Sequence, residues 1–190
     1  MRLAKVVVQH ELRVLGSLGL WLVRRTHGTR GGRAFGYARG QGPMMAGLAF
    51  VCLVETLTMS VLLRDWPAVE RAVLLLDVYG VVLVAGLHAA SVVRPHVLYG
   101  DALRVRRAVH LDVRVPLERI ASVRQELRTT QERADGELDV PVGSQTSVTL
   151  ELSEPVTHVS FFGRRREVRV VRFHADDPAG LVRALSRERV

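Results

Sequence analysis

Two acidic side chains and one tyrosine lie inside long apolar segments, where an ionisable group is costly. Glu55 is the one charged residue of the first apolar run, 44–63, and Asp77 and Tyr79 lie in the second, 72–93. A charged carboxylate at the centre of a bilayer costs at least about 2.5–3.5 kcal/mol on insertion scales. These three side chains are therefore candidates either for neutral hydrogen-bonding groups between helices or for a proton or cation path.

The positions of the two acids along the chain predict a common depth. With a hairpin turn near Pro67, Glu55 lies 12 residues before the turn and Asp77 lies 10 residues after it. This difference corresponds to about 3 Å along a helix axis, and Tyr79 is level with Glu55 as a possible hydrogen-bond donor. Two explanations stay open: the polar groups bond helices together within the hairpin or an oligomer, or several chains assemble an ion path.

Three successive arginines, Arg164, Arg165 and Arg166, lie at a predicted hairpin tip. A guanidinium group suits phosphate because its planar fork donates two parallel hydrogen bonds. We interpret these arginines as candidate ligand-binding residues for lipid phosphates or an acidic partner. A solvated turn beside Glu154 or Glu167 is the alternative.

The remaining nucleophiles and metal ligands form no recognisable motif. The seven histidines lack HExxH spacing, and serine and histidine do not form a nucleophile elbow. The single cysteine, Cys52, lies in the first apolar run, so neither an intrachain disulfide nor a cysteine-based metal site can form. We therefore predict a non-enzymatic protein without catalytic residues, metal or cofactor.

The net charge narrows the class of partner. The 190 residues contain 27 Lys and Arg against 19 Asp and Glu, a net charge of +8. Such an excess suits nucleic acid or an anionic membrane surface. The arginines of segment 26–43 are interleaved with Phe35 and Tyr37, as in RGG-type nucleic-acid binders. One short copy is explained more simply by a basic segment beside a membrane, so nucleic acid is not the expected partner.

The two apolar runs have the length of membrane spans. Each is roughly 30 Å long as a helix, which matches the hydrocarbon core, and the polar segment 64–71 joins them. The chain has too little other material to cover two core helices, so 44–93 is predicted to form a transmembrane hairpin with spans 44–63 and 72–93. The second span also carries small residues that let another helix approach closely: Ala85, Gly86, Ala89 and Ala90.

The N-terminal part is predicted to be an amphipathic helix, 1–25, followed by a basic, glycine-rich linker, 26–43. The apolar positions of the helix recur at steps of three or four: Val8, Leu12, Leu15, Leu18 and Leu22. Two placements stay open for this helix. It packs on the rest of the protein, or it lies in the membrane interface, which its basic flanks and Trp21 would suit.

The basic residues also predict the orientation of the hairpin. Eight Lys and Arg residues and one acid, Glu11, precede the first span, whereas two arginines and two acids balance in 64–71. Positive loops stay on the cytoplasmic side. We therefore predict a multi-pass protein of the cytoplasmic (inner) membrane with both termini in the cytoplasm and Trp66 at the outer interface.

The C-terminal half, 94–190, changes to the period of β-strands. Alternation of apolar and polar residues predicts a series of strands: 102–107, 109–115, 120–125, 147–152, 156–161 and 167–174. The polar stretch 128–143 is predicted to be a long loop. A capping aspartate with Pro178 in the first turn predicts a closing helix.

This organisation resembles the bacterial pleckstrin-homology-like (PH-like) membrane proteins. The resemblance depends on LYGDALRVR at 98–106, which leads to VPLERIASV at 115–123, and covers roughly 92–187 together with the hairpin by position. It implies a membrane α+β protein with a cytoplasmic antiparallel, partly open barrel of seven strands and a terminal helix, and it implies no catalytic residues. Ala108 stands near a position where the family often has glycine, and 128–143 is long for a compact barrel.

These observations favour a membrane-anchored scaffold that presents a PH-like domain to a protein or lipid partner. Membrane lipids and either a protein partner or a second copy of the chain are the expected contacts. One alternative is an oligomeric transporter or channel component that uses Glu55 and Asp77. Another is a membrane-tethered binder of nucleic acid that uses the arginines of 24–39.

Overall fold

The structure, a computed structural model, describes residues 2–129, 134–159 and 163–188, with side chains from residue 7 onward. Within these ranges the chain is an α+β protein with four α-helices and two β-sheets. Residues 130–133 of the predicted loop 128–143 and residues 160 and 161 of the predicted strand 156–161 lie outside the described residues.

Three long helices form the N-terminal half: α1, Arg2–Leu22; α2, Gly42–Leu62; and α3, Pro67–Val93. α2 and α3 are long and apolar enough to cross a membrane, as the sequence predicts. α3 begins five residues before the predicted span because Pro67 suits the first helical turn and Glu70 interacts favourably with the helix N-terminus. Only a short turn therefore separates the two helices.

The hairpin of α2 and α3 exposes most of its apolar side chains. No described residue of α2 is buried, and α3 is buried only near its C-terminal end. The outward-facing residues are large and apolar: Leu48, Phe50, Val51, Leu53, Val54, Leu57, Val61, Leu62, Leu74, Leu75, Leu76 and Val78. A continuous apolar surface of this extent is atypical of a protein that is surrounded by water.

α1 packs on the C-terminal part of α3 through a glycine. Val14 is fully buried, and a Cβ atom at Gly86 would lie 2.5 Å from its Cγ1 atom. Ala89 and Ala90 are buried beside this contact. The small-residue surface predicted on α3 is thus in contact with a helix of the same chain.

Most of the apolar stripe predicted on α1 does not pack on α3, although Val14, which widens the stripe, does. Leu12, Leu15 and Leu22 are exposed, whereas Ser17, which the helical pattern places on the polar side, is fully buried. Ser17 is accommodated because its hydroxyl donates a hydrogen bond to the Arg13 carbonyl oxygen, 2.7 Å away. The stripe therefore remains available to another apolar environment.

Eight strands form two separate sheets among the described residues. The first sheet is antiparallel, in the order β1-β2-β3-β4, with β1 at Arg33–Phe35, β2 at His96–Leu98, β3 at Ala102–Arg107 and β4 at Leu111–Pro116. The second has the order β5-β7-β8-β6, with β5 at Ile120–Arg128, β6 at Glu137–Val140, β7 at Thr146–Val159 and β8 at Arg165–Phe173.

The second sheet corrects three features of the predicted barrel. The two sheets share no strand, so the described strands do not form a closed barrel. The predicted loop 128–143 contains β6, and β6 pairs with β8 in parallel, whereas an antiparallel arrangement was predicted. β7 is one strand where two were predicted, because its pairing with β8 is irregular between Glu151 and Val156 and so tolerates Pro155.

The predicted linker 26–43 is partly built into the first sheet. It contains β1, which pairs with β2, and it buries Phe35 and Tyr37. Gly32 is required at the approach to this pair, since a Cβ atom there would lie 2.8 Å from the Leu98 carbonyl oxygen. The two aromatic rings are therefore core residues, which removes the pattern that resembled a nucleic-acid binder.

One core joins both sheets to the C-terminal helix, α4, Pro178–Glu188. Leu181 and Leu185 of α4 are fully buried in this core together with Phe173. The helix starts as predicted, with an aspartate cap: the Gly180 amide donates to Asp177 Oδ1 at 2.8 Å. We refer below to 94–188, with β1, as the β-domain.

Candidate functional site

The three polar residues of the two apolar helices differ in their surroundings. Glu55 is exposed on α2, and Tyr79 is exposed on α3. Asp77 is half-buried, and its Oδ2 atom has no hydrogen-bond partner among the described residues. Tyr79 interacts with Glu11 of α1, not with Glu55. Tyr79 is therefore not the hydrogen-bond donor to Glu55 within one chain, and the ion path, which requires several chains, stays a prediction.

A different polar pair, not predicted from the sequence, connects the two long helices. The Ser60 hydroxyl donates to Glu70 Oε1 at 2.8 Å, close to the hairpin turn. Serine in the first apolar run and an acid in the polar segment were the available signals. This hydrogen bond joins α2 to the first turn of α3 and does not involve Glu55.

The three arginines of the predicted hairpin tip lie at the start of β8. Arg164 and Arg166 line an open cleft of about 1070 Å³ together with His158. Acidic residues line the same cleft: Asp135, Glu137 and Glu167. The cleft is therefore of mixed charge, which suits a polar protein surface better than a compact phosphate site.

A group of arginines lies where α1 and α3 meet the β-domain, a region that we call the junction. Arg106 of β3 is 3% exposed. Its Nη1 atom donates to the His27 carbonyl oxygen at 2.9 Å, and its Nη2 atom lies 3.4 Å from the Gly28 carbonyl oxygen. Tyr99 donates to the same Gly28 oxygen at 2.8 Å. Arg106 thus holds the loop after α1 against the first sheet.

Asp112 is the acidic neighbour of Arg106, but it is already engaged. Arg104 donates two hydrogen bonds to its carboxylate, at 2.6 and 2.7 Å, whereas Arg106 Nε lies 3.6 Å away. Burial lowers the pKa of Arg106, Asp112 opposes this change, and the charge of Arg104 adds to it. The junction therefore has more positive charge than its described acids neutralise.

Arg94, at the end of α3, extends this basic region toward α1. Its Nε atom donates to the Ser17 hydroxyl at 3.3 Å. Burial lowers the pKa of Arg94, and the nearby charges of Arg106 and Arg13 lower it further. A cation surrounded by cations at the end of an apolar helix is a favourable neighbour for an anionic group.

Two buried polar residues, His96 and Tyr37, lie next to the junction. His96 Nδ1 accepts a hydrogen bond from the Arg106 amide at 3.0 Å, so its Nε2 atom carries the proton and donates to the His174 carbonyl oxygen at 2.9 Å. Burial lowers the pKa of His96 to about 4. The neutral ring therefore has one fixed tautomer near neutral pH.

Tyr37 packs on His96, with ring centroids 4.7 Å apart. Its hydroxyl oxygen accepts a hydrogen bond from the Ala108 amide at 2.6 Å, and burial raises the pKa of Tyr37 to about 12. Ala108 has a φ of 45°, in the left-handed region that favours glycine. Tyr37 thus satisfies the amide of a strained turn.

A serine, a histidine and an aspartate also lie together beside a smaller cavity of about 390 Å³: Ser147, His174 and Asp176. The Ser147 hydroxyl accepts from the Ala175 amide at 2.9 Å and lies 3.3 Å from the carbonyl oxygen of the same residue. It is therefore engaged with backbone and not with the imidazole. Among the described residues, no group of three or more potential ligands is arranged to hold a metal ion.

Comparison of the chain with protein-family models, with curated proteins and with solved structures found no match. The resemblance to PH-like membrane proteins therefore stays a prediction.

Proposed function

We propose that this chain is a membrane-anchored, non-enzymatic binding or scaffold protein, which holds a PH-like β-domain at the cytoplasmic face of the inner membrane for a protein or lipid partner. The observation that carries this proposal is the direct connection between α3 and the β-domain. Only Arg94 and Pro95 separate the last residue of α3 from the first residue of β2. Such a short connection leaves the domain little freedom relative to the hairpin.

Contacts from α1 to both parts support this connection. Val14 packs on Gly86 of α3, whereas the ring of His10 lies 4.7 Å from that of His110, in the turn between β3 and β4. The His27 amide also donates to the Val93 carbonyl oxygen at 2.8 Å. α1 therefore bridges the hairpin and the β-domain, with its exposed leucines free to enter the membrane interface.

The distribution of charge supports the orientation. Arginines of α1, of the segment between α1 and α2 and at the end of α3 are exposed or partly buried: Arg13, Arg24, Arg25, Arg30, Arg33, Arg39 and Arg94. The turn at the other end of the hairpin has Arg64 beside Asp65, 4.0 Å apart. An anionic cytoplasmic leaflet attracts the first set and leaves the second outside.

Cysteine labelling of intact cells tests the anchoring. In a Cys52→Ala background, we expect Asp65→Cys to react with a membrane-impermeant maleimide. Ser186→Cys, on the exposed side of α4, should react only after the cells are permeabilised. Labelling of Ser186→Cys in intact cells would overturn the proposed topology.

Site-specific photocrosslinking of the full chain in its native membrane tests the binding role. We expect a photoreactive residue at Arg166, beside the cleft of β8, to yield a discrete crosslinked partner. The same residue at Trp66, in the hairpin turn, is the matched control and should not yield that product. If no position on the β-domain crosslinks to a specific partner, the binding role is wrong.

A further inference from the structure

We propose that one anionic phospholipid binds between the C-terminal ends of α1 and α3, with its phosphate on Arg24 and Arg25. The inference rests on the proposed membrane anchoring and makes the lipid partner specific. The site is a cavity of about 470 Å³, which we call the helix-end cavity. It is lined by Trp21, Leu22, Arg24, Arg25, Thr26, Val92 and Val93.

The lining of the helix-end cavity matches the boundary between acyl chains and head groups. Leu22, Val92 and the ring of Trp21 supply apolar surface, and the two arginines lie next to them. The cavity is formed by the last residues of α3, where the apolar helix ends and the polar chain begins. Tryptophan and arginine beside an apolar surface are typical of this depth in a membrane.

The two arginines are free to bind an anion. Arg24 and Arg25 are exposed, and no described acid forms an ion pair with either of them. The adjacent His27 has a lowered pKa, first because of burial and then because of the charges of Arg94 and Arg106. The cavity thus borders the basic junction, where a phosphate would offset repulsion between cations.

The backbone of Arg24 is an independent indication. Its φ is 53°, and the Arg25 amide donates to the Leu20 carbonyl oxygen at 2.9 Å. This closes α1 with a left-handed residue, a position that favours glycine. Arginine costs stability in this conformation, and such strain is concentrated at functional sites. A ligand for its side chain would account for an arginine at this position.

The apolar lining distinguishes a lipid from a free phosphate ion. Inorganic phosphate would use only the guanidinium groups and would leave Leu22 and Val92 without a partner. A phospholipid contacts both, because its acyl chains continue from the head group along apolar surface. The site is therefore assigned to a lipid, and phosphatidylglycerol is a suitable probe.

The full chain is reconstituted into nanodiscs of phosphatidylcholine with a minority of phosphatidylglycerol, extracted in detergent, and its retained lipid is measured by native mass spectrometry. We expect R24Q/R25Q to reduce retained phosphatidylglycerol by about fivefold for each arginine, or about 25-fold for both. R64Q/R71Q removes two charges at the opposite end of the hairpin and should change retention by less than about twofold, because the screened field of a distant charge is small.

Single substitutions at Arg24 separate the strain from the binding. R24G should raise the unfolding temperature, because glycine tolerates the left-handed conformation, and at the same time lower retention. R24K keeps the charge but loses the planar fork, so retention should be intermediate between the wild type and R24Q. Unchanged retention in R24G would show that the side chain binds no lipid.

The outcomes separate this inference from the proposed function. If intact cells show the proposed labelling of Asp65→Cys but R24Q/R25Q retains as much phosphatidylglycerol as the wild type, the lipid site is wrong and the anchoring stands. Equal loss in R64Q/R71Q would also overturn the site. Complete displacement of the lipid by an equal concentration of inorganic phosphate would indicate a simple anion site and would overturn the assignment to a lipid.

Discussion

Replacement of Gly86 by alanine tests how α1 is held on α3. The added Cβ atom would lie 2.5 Å from Val14 Cγ1, whereas a Cβ atom at Gly80 of the same helix would meet nothing within 4 Å. Both substitutions replace glycine by alanine in the interior of α3, so they share the same gain in helix propensity. The difference in stability between Gly86→Ala and Gly80→Ala therefore isolates the steric conflict.

The size of this difference follows from the contact. Glycine to alanine in a helix interior stabilises by about 0.8–1.0 kcal/mol, and an extra methyl group in a packed contact costs about 1–3 kcal/mol. Val14 cannot move easily, because it is fully buried and β-branched. We expect the packing of α1 on α3 to be weaker in Gly86→Ala than in Gly80→Ala by about 1–3 kcal/mol.

Tryptophan fluorescence can measure the release of α1. Trp21 lies near the end of α1, edge-on to His88 of α3, with ring centroids 6.2 Å apart. The chain has two tryptophans, so Trp66→Phe leaves Trp21 as the one reporter. Thermal scans of the full chain in nanodiscs should show the Trp21 transition at a lower temperature in Gly86→Ala than in Gly80→Ala.

A second substitution makes this result specific to the contact. Val14→Ala removes Cγ1, so it should cost less in the Gly86→Ala background than in the wild type, with a coupling energy of about 0.5–3 kcal/mol. Equal transitions in Gly86→Ala and Gly80→Ala, or additive effects in the double variant, would refute the packing of α1 at Gly86.

Three substitutions in or next to the β-domain have expected effects that thermal unfolding and hydrogen exchange can measure. The pKa of His96 is lowered from 6.5 to about 4 in the folded protein. Because the unfolded chain takes up a proton on this histidine at a higher pH, about 3 kcal/mol of stability should be lost as the pH falls across that interval. His96→Gln should flatten the dependence of stability on pH. Tyr37→Phe leaves the half-buried Ala108 amide without its acceptor and should cost about 1–3 kcal/mol. Glu137→Gln weakens the ion pair with Arg172, which joins β6 to β8, and should increase exchange of the β6 amides through a loss of about 2 kcal/mol.

Each substitution has a control in a more exposed place. His158→Gln should leave most of the pH dependence unchanged, and Tyr99→Phe should cost less than Tyr37→Phe because its acceptor, the Gly28 carbonyl oxygen, can bind water instead. Asp101→Asn breaks an ion pair whose side chains are 68% and 64% exposed and should cost less than about 1 kcal/mol. If each control loses as much stability as its test variant, burial does not determine these energies.

The long helices and the closing helix were predictable because their signals are local. The apolar runs define α2 and α3 by length alone, and Asp177 with Pro178 marks the start of α4 within one turn. Three strands, β1, β2 and β6, are not predicted from the sequence because strands of three or four residues have no pattern of their own. Their backbone groups are paired only through contacts with other strands: β1 with β2, β2 with β3, and β6 with β8.

The polar residues of α2 and α3 show what the spacing along the chain does not predict. The number of residues from the turn predicts the depth of Glu55, but not the direction in which its side chain faces around the helix axis. That direction is set by the packing of α2 on α3, which leaves Glu55 outward. Tyr79 meets Glu11 because α1 packs on α3, and no spacing within the hairpin contains that information.

The sequence by itself determined the class of this protein: an α+β chain with two apolar helices, basic residues before them and a strand-rich second half. These properties follow from composition and from periodicities within a few turns or strands. Only the tertiary structure decided which groups the arginines contact. Arg94 reaches Ser17 and Arg106 reaches His27 across 77 and 79 positions of the chain, and such pairs exist only because α1 packs against both α3 and the first sheet.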